Sequence, residues 1–501
     1  MAGSAFKRLA VQTSHYSLAS FLTMLAGLVT FPLLTRLFSV DDYGVMNLVA
    51  ATVTVFVALG KVGVQHSIIR YHSEATAGLG RYSLAQLRST TLLAMLGTGV
   101  VAALVLAVGS QLVPARWLGD PRIPGLTVIV SVVVAVQVFE STLIQFIRAE
   151  QRTSMLLIYQ VAKKYVGVGL ILFAVLVIAR TLTAFYTATA IAESLTIGAL
   201  ALFMFRRSGF PLPSPAQFSR PLYFELLGFG IPMLIGYELS GIILSVGARY
   251  VIAGTIGEAP LGLYGAAYNL CQYVQAVLIW PVSQAIMPLY IQMWDQKGRA
   301  ETSAFISRSL RTYALVGAPV IAGLAAVGTE LLPALASDKY AGASAILPWV
   351  IAGMVVDGTA GMLGSGLFIH RKTRIIGSIV LSSAVLNLVL NIILVPRVGI
   401  KGSAIATLVS YALNSLALAI AGRQLLPVRI PWATILRAGS SAALMWLALR
   451  GLYPGHHFAT IAVRTLLGAV LYGLVITLFD KDARGIMRQA ANRFRPHPRA
   501  A

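Results

Sequence analysis

Long apolar tracts alternate with short polar connectors along almost the whole chain. Each tract is close to the ~20 residues that cross ~30 Å of hydrocarbon as a helix. Six lie near 14 to 34, 44 to 64, 89 to 110, 125 to 147, 155 to 179 and 182 to 204. Six more lie near 227 to 251, 262 to 286, 312 to 334, 344 to 368, 375 to 395 and 401 to 421, and an additional pair near 432 to 449 and 460 to 479. The pattern predicts an all-α polytopic membrane protein of about 14 transmembrane helices. Richness in valine and isoleucine does not argue for strands, because a lipid-exposed backbone must satisfy its own hydrogen bonds and runs of this length do so as helices.

Between the two sets of six lies Arg206 to Pro221, with four prolines and three arginines, which is neither a span nor a helix interior. Sliding one half against the other matches Gln111-Leu112-Val113-Pro114 with Glu330-Leu331-Leu332-Pro333, and Phe146-Ile147-Arg148 with Phe368-Ile369-His370. Asp42-Tyr43-Gly44 likewise resembles Gly262-Leu263-Tyr264-Gly265, in a register shifted by several residues. A repeat joined by a polar linker predicts a six-helix lobe over 1–205, a cytoplasmic linker over 206–225 and a second six-helix lobe over 226–425. An additional helix pair over 426–480 and a basic tail over 481–501 follow.

Composition agrees with this picture. Charged residues are 11% of the 501, against about 25% in soluble domains, and 57% are hydrophobic. The net charge of +22 is mainly an orientation signal: with the N-terminus inside, most of the 39 lysines and arginines fall in cytoplasmic segments, so both termini face the cytoplasm. These charges are dispersed beside apolar spans, which argues against nucleic-acid binding. The tail arginines suit anionic lipid heads. The single cysteine, Cys271, permits no intrachain disulfide. The apolar run after Lys7 and Arg8 continues for a full span without a cleavage pattern, so it is read as an anchor. No P-loop, nucleotide fingerprint or metal-ligand spacing occurs, and no connector is long enough for a catalytic domain, so an enzyme is not expected.

Phe31-Pro32-Leu33-Leu34-Thr35-Arg36-Leu37-Phe38-Ser39 followed by Asp41-Asp42-Tyr43-Gly44 resembles the first inter-helix signature of bacterial Wzx-type polysaccharide flippases. These belong to the superfamily that also holds the multidrug and toxin extruders and the lipid II flippase. Leu261-Gly262-Leu263-Tyr264-Gly265-Ala266-Ala267-Tyr268-Asn269-Leu270 resembles the matching signature of the second half, although Arg249 stands where an acidic residue often precedes it. The resemblance implies an inner-membrane exporter of undecaprenyl-pyrophosphate-linked oligosaccharide working by alternating access, with membrane lipids and other polysaccharide-assembly proteins as partners.

Ionisable groups inside spans cost ~2.5–3.5 kcal/mol each on insertion scales, so those present are expected to face water or one another. Lys61 and Gln65 are four apart and Arg70 continues the line, giving a polar stripe on the second span. Lys61, Gln65, Arg70, Lys164 and Arg249 are the candidates for contact with a pyrophosphate. Lys61 leads them because no acidic residue lies within a helical turn of it. The alternative is that Lys61 pairs with a carboxylate on another helix, and that Lys163, Lys164 and Arg249 simply reach the interface. Glu140, Glu238 and Asp357 are candidates for coupling to H+ or Na+, and no cofactor is expected. Gln137, Glu140 and Ser141 form a patch on the fourth span; Asp357, Gly361, Gly364 and Ser365 form a narrow polar face on the tenth.

Three functions compete. A flippase for a pyrophosphate-linked glycan needs a cationic lumen, since an unpaired anion is costly in a low dielectric. A cation-coupled multidrug antiporter needs a mainly acidic one. A membrane polymerase or ligase needs catalytic residues on a large external loop. Lys61 favours the first, and the embedded acids keep the second open.

Overall fold

The computed structural model describes residues 2–113, 120–207, 209–451, 458–480 and 484, so the basic tail, apart from Arg484, lies outside the described residues. Among them twelve helices are long and apolar enough to cross a membrane, or thirteen when the bent pair Arg220–Gly236 and Ser240–Ile256 counts as one span. The expected tract at 262 to 286 falls on Glu258–Leu278 and the start of the next helix; Asn269, Gln272 and Gln275 make it more polar than the rest. The chain divides into two compact units, Met1–Gly265 with Val380–Ser403, and Ala266–Ile379 with Ala404–Ala501.

In the first unit α1 is Ala2–Leu37, α2 Val40–Lys61, α3 Gln65–Thr76, α4 Leu84–Leu112, α5 Ile123–Ala149, α6 Thr153–Phe173 and α7 Leu182–Arg207. The start of α2 is written in the chain: Ser39 accepts from Asp42 N at 3.0 Å, the Asp42 carboxylate accepts from Ser39 N, and Asp41 and Asp42 suit the positive end of the helix. Arg122, which precedes α5, donates to Asp42 at 2.6 Å and to Asp120 at 2.7 Å. Those bonds to Arg122 hold the Asp120 carboxyl below the usual carboxylate range, outweighing the burial that pushes it up. α5 is the central helix, with Val130, Val134, Val138, Leu143 and Phe146 almost fully buried, and α2, α4 and α7 pack on it.

The chain leaves α2 through Val62 (φ 47°) and Gly63 (φ 74°). Lys61 and Gln65 therefore end one helix and begin another, and the continuous polar stripe expected across Lys61, Gln65 and Arg70 is broken by this left-handed step. Beyond the linker, α8 (Arg220–Met233) contains Pro232 and passes through a π-helical turn, Leu234–Leu239, into α9 (Ser240–Ile256), bending by 46°. The two breaks meet: a Cβ on Gly63 would lie 2.0 Å from the Gly230 carbonyl oxygen. A second close approach joins α2 to the first turn of α10 (Glu258–Leu278). A Cβ on Gly44 would lie 2.0 Å from Glu258 O, and one on Gly262 would lie 2.0 Å from Val40 O.

The linker is pinned rather than loose. Phe210 is 3% exposed, packs edge-on to Phe146 and lies under the Arg88 guanidinium at 4.3 Å. Ser214 N and Ser219 N donate to Ser89 Oγ and Thr90 Oγ1 at the start of α4.

In the second unit α11 (Trp280–Leu335) is interrupted at Gly298 (φ 76°, ψ −170°). α12 (Leu347–Asp357), α13 (Ala360–Leu363) and α14 (Ser365–Ile369) are fragments of one tract, so the polar face expected from Asp357 to Ser365 is split at Gly358–Thr359 and Gly364. α15 (Thr373–Val398) and α16 (Ile400–Gly422) each have residues in both units, and α17 (Trp432–Arg450) and α18 (Phe458–Phe479) close the described chain. The last two pack on α11 through Ala326, Val327, Ala438, Met445, Ile461 and Tyr472. Arg464 donates to both oxygens of Glu330 and at 2.9 Å to Leu449 O, with Arg464 and Glu330 each 5% exposed. Removing one partner strands a buried charge, so Arg464→Ala is expected to cost about 3–5 kcal/mol. Thermal unfolding in detergent checks this, and Glu330→Arg with Arg464→Glu should recover part of the loss.

Candidate functional site

Where the two broken spans meet, four polar side chains converge. Lys61 ends α2 with its Nζ 3.4 Å from Glu238 Oε1. Gln65 Nε2 donates to Glu238 Oε2 at 2.5 Å, and His66 Nε2 lies 3.2 Å from the same oxygen. The left-handed step at Val62 and Gly63 turns Lys61 and Gln65 toward a common point, and the π-helical turn after Pro232 carries Glu238. The Lys61 and Glu238 side chains are 22% and 17% exposed, so the pair is sheltered but reachable. An ammonium has three donors and this one faces a single carboxylate oxygen, which leaves capacity for a second anion. The lysine thus has its carboxylate on another helix, 177 residues away.

A second cluster lies on α5, α6 and α7. Tyr159 Oη donates to Glu140 Oε1 at 2.6 Å, Lys163 Nζ donates to Glu140 Oε2 at 2.6 Å, and Lys163 Nζ lies 2.7 Å from Glu193 Oε2.

Of the residues the sequence points to, Lys61, Gln65 and Glu238 come together and Glu140 joins the second cluster. Lys164 is beside that cluster and makes no hydrogen bond or ion pair among the described residues, while Lys163, expected merely to reach the interface, is the bridging cation. Arg70 is largely exposed and pairs with Glu74 at 2.9 Å. Arg249 is buried in α9, and Asp357 ends α12. His66, Tyr159, Lys163 and Glu193 are the members that the candidate set lacks. A signal existed for three of them: Tyr159 and Lys163 are four apart on one helix face, and Glu193 is an acid inside an apolar tract. A cavity of about 130 Å³ is lined by Tyr71, Glu74, Arg81, Tyr82 and Glu225. The hydrogen bond from Tyr82 to the Glu225 carboxylate raises the phenol's pKa.

Comparison with known proteins bears on this arrangement. The model of a family described as polysaccharide biosynthesis protein matches residues 33–345. A probable low-salt glycan biosynthesis flippase, Agl15 of Haloferax volcanii, is 22% identical over 189 residues, 36% of this chain and 40% of the relative. A probable flippase, AglR of the same organism, is 24% identical over 243 residues, 47% of this chain and 50% of the relative. The matched region thus spans about half or less of these curated relatives. Among solved structures, the lipid II flippase MurJ in an inward closed conformation superposes with a TM-score of 0.76 at 12% identity, covering 93% of this chain and 99% of that one. An inward-facing multidrug resistance transporter of the MATE family, in the MOP superfamily, gives 0.64 at 13% identity, covering 84% and 97%. The fold is the one these transporters share.

Proposed function

Because the chain belongs to the polysaccharide biosynthesis protein family, we propose that this multi-pass membrane protein is a flippase, not an enzyme, that moves an undecaprenyl-pyrophosphate-linked oligosaccharide across the cell's inner membrane by alternating access. The observation that carries the reading is Lys61, a sheltered yet reachable basic side chain at the meeting of two broken spans, paired with Glu238. Broken membrane helices place polar groups at depth without exposing backbone to lipid. A pyrophosphate competes with Glu238 for the ammonium. As the head group binds, Lys61 exchanges one anion for another and is at no point left bare in a low dielectric. Gln65 and His66 retain Glu238 meanwhile. Both termini face the cytoplasm in this reading, and the partners are membrane lipids and other polysaccharide-assembly proteins.

The test uses inside-out vesicles loaded in parallel with a fluorescent lipid-linked oligosaccharide and with a cationic dye. Movement of the glycan lipid is the expected result. Movement of the dye alone overturns the reading in favour of a multidrug antiporter, which the acidic groups Glu140 and Glu193 would then serve.

A further inference from the structure

Tyr71 and Glu74 on α3, Arg81 and Tyr82 on the connector into α4, and Leu222 and Glu225 on α8 line the cavity of about 130 Å³. Its charges are balanced. Glu74 Oε1 accepts from Arg70 Nε at 2.9 Å, and Glu225 Oε1 accepts from Tyr82 Oη at 2.8 Å with Arg81 Nη1 3.9 Å away. Each carboxylate thus has a guanidinium beside it, and each keeps a second oxygen that takes no hydrogen bond among the described residues. The Tyr71 hydroxyl likewise makes none among them. The closed wall is apolar, since Leu222 is fully buried, whereas the Arg81 side chain is 82% exposed and marks the mouth.

This chemistry selects a class of ligand. An ammonium entering the cavity would meet Arg70 and Arg81, and a phosphate would meet Glu74 and Glu225, so neither ion is favoured. A neutral ring bearing several hydroxyls is. Its hydroxyls can donate to the spare carboxylate oxygens, accept from Arg81 and pair with the Tyr71 hydroxyl, while its C–H face lies on tyrosine and leucine. Size points the same way: the cavity is smaller than the ~300–1,000 Å³ of sites for drug-sized ligands and suits a single ring. The place matters too. α3 carries Gln65 of the Lys61 site and, nine residues on, Glu74, which at a rise of ~1.5 Å per residue puts the two ~14 Å apart along one helix. α8 lines the cavity with Glu225 and leads into the turn that carries Glu238.

Resting on the flippase reading, we infer that this cavity is a sugar subsite, which takes one ring of the oligosaccharide beyond the sugar bonded to the pyrophosphate. Lys61 fixes the charged end of the head group, and the cavity reads a sugar further out. A glycan that lacks a matching hydroxyl leaves a sheltered carboxylate oxygen or the Tyr71 hydroxyl unserved, which makes the cavity specificity-determining.

Two measurements test this. Saturation-transfer NMR on the full chain in detergent uses the free oligosaccharide released by mild acid from the source cells' own lipid-linked glycan. Transfer to its sugar protons is expected, with binding weakened about threefold to tenfold by Y71F, which removes a single hydroxyl, and further by Y71F with E225Q. Ethanolamine and inorganic phosphate, added as competitors, should not displace it. No transfer in the wild type, binding unchanged in the variants, or displacement by either competitor overturns the proposal; where the double variant does not accumulate, Y71F alone decides. In inside-out vesicles, movement of the full glycan lipid is compared with movement of undecaprenyl pyrophosphate carrying one sugar. The ratio of the first to the second should fall in Y71F with E225Q. A ratio that does not fall, equal loss of both included, overturns the subsite. If the wild type moves neither lipid, the flippase reading fails, and the NMR measurement still decides whether the cavity binds sugar.

Discussion

Lys61→Ala is expected to abolish movement of the lipid-linked oligosaccharide, and Lys61→Arg to keep part of it. The reason is electrostatic. Without the ammonium, a pyrophosphate entering the site meets Glu238 unopposed, and like charges at that distance repel strongly in a low dielectric. Alanine also removes the partner of Glu238, which by itself lowers stability by up to about 3 kcal/mol, at the lower end for a buried pair because both side chains are reachable by water. Gln65 and His66 still hold the carboxylate, so protein remains to be assayed. The two effects separate in Lys61→Ala with Glu238→Gln. Removing both charges should restore abundance and thermal stability without restoring transport. Recovery of transport in the double variant would reduce Lys61 to a structural partner, and normal transport by the single one would take it out of the mechanism.

Gly44→Val is expected to abolish accumulation of folded protein, and Gly262→Val to do the same. Overpacking a core against side chains costs about 1–3 kcal/mol. Here the obstacle is a backbone carbonyl in the first turn of the facing helix, 2.0 Å from where the Cβ would sit. Both helices must separate, so the cost exceeds that range. Gly97 on α4 has nothing within 4 Å of where its Cβ would sit, and Gly97→Ala should be neutral or slightly stabilising in the same membrane. Fluorescence-detected size exclusion and melting in detergent check both.

Much of this is legible in the chain alone. Apolar tract length is a direct physical requirement of the bilayer, so twelve of the expected tracts meet a helix long and apolar enough to cross, down to the additional pair at Trp432–Arg450 and Phe458–Phe479, and 227 to 251 meets the bent pair, while 262 to 286 does not. The start of α2 is legible in Ser39 and Asp42 because a capping box is local. The breaks are not. Periodicity carries Lys61, Gln65 and Arg70 along one face, and the left-handed step at Val62 has no local signature beyond a single glycine. Nor does intramembrane cost reveal partners: it says that Lys61, Glu140 and Glu193 must be compensated, but the pairings span 177, 23 and 30 residues and are set by packing. Pro232 marks a bend, but a π-helical turn after it, and hence the direction of Glu238, depends on what α8 meets at Gly63.

The crossing of α2 and α10 is reciprocal. Val40 and Glu258 are 218 positions apart, as are Gly44 and Gly262, and each carbonyl faces the other pair's glycine. Residue i meets j′ while j meets i′, which is the signature of a contact across a twofold axis between identical chains. Gene duplication of a half-length ancestor that paired with itself through this glycine patch would leave such a contact behind. Fusion would then have turned a self-association surface into an internal one, with both glycines still required because each answers for the other's carbonyl.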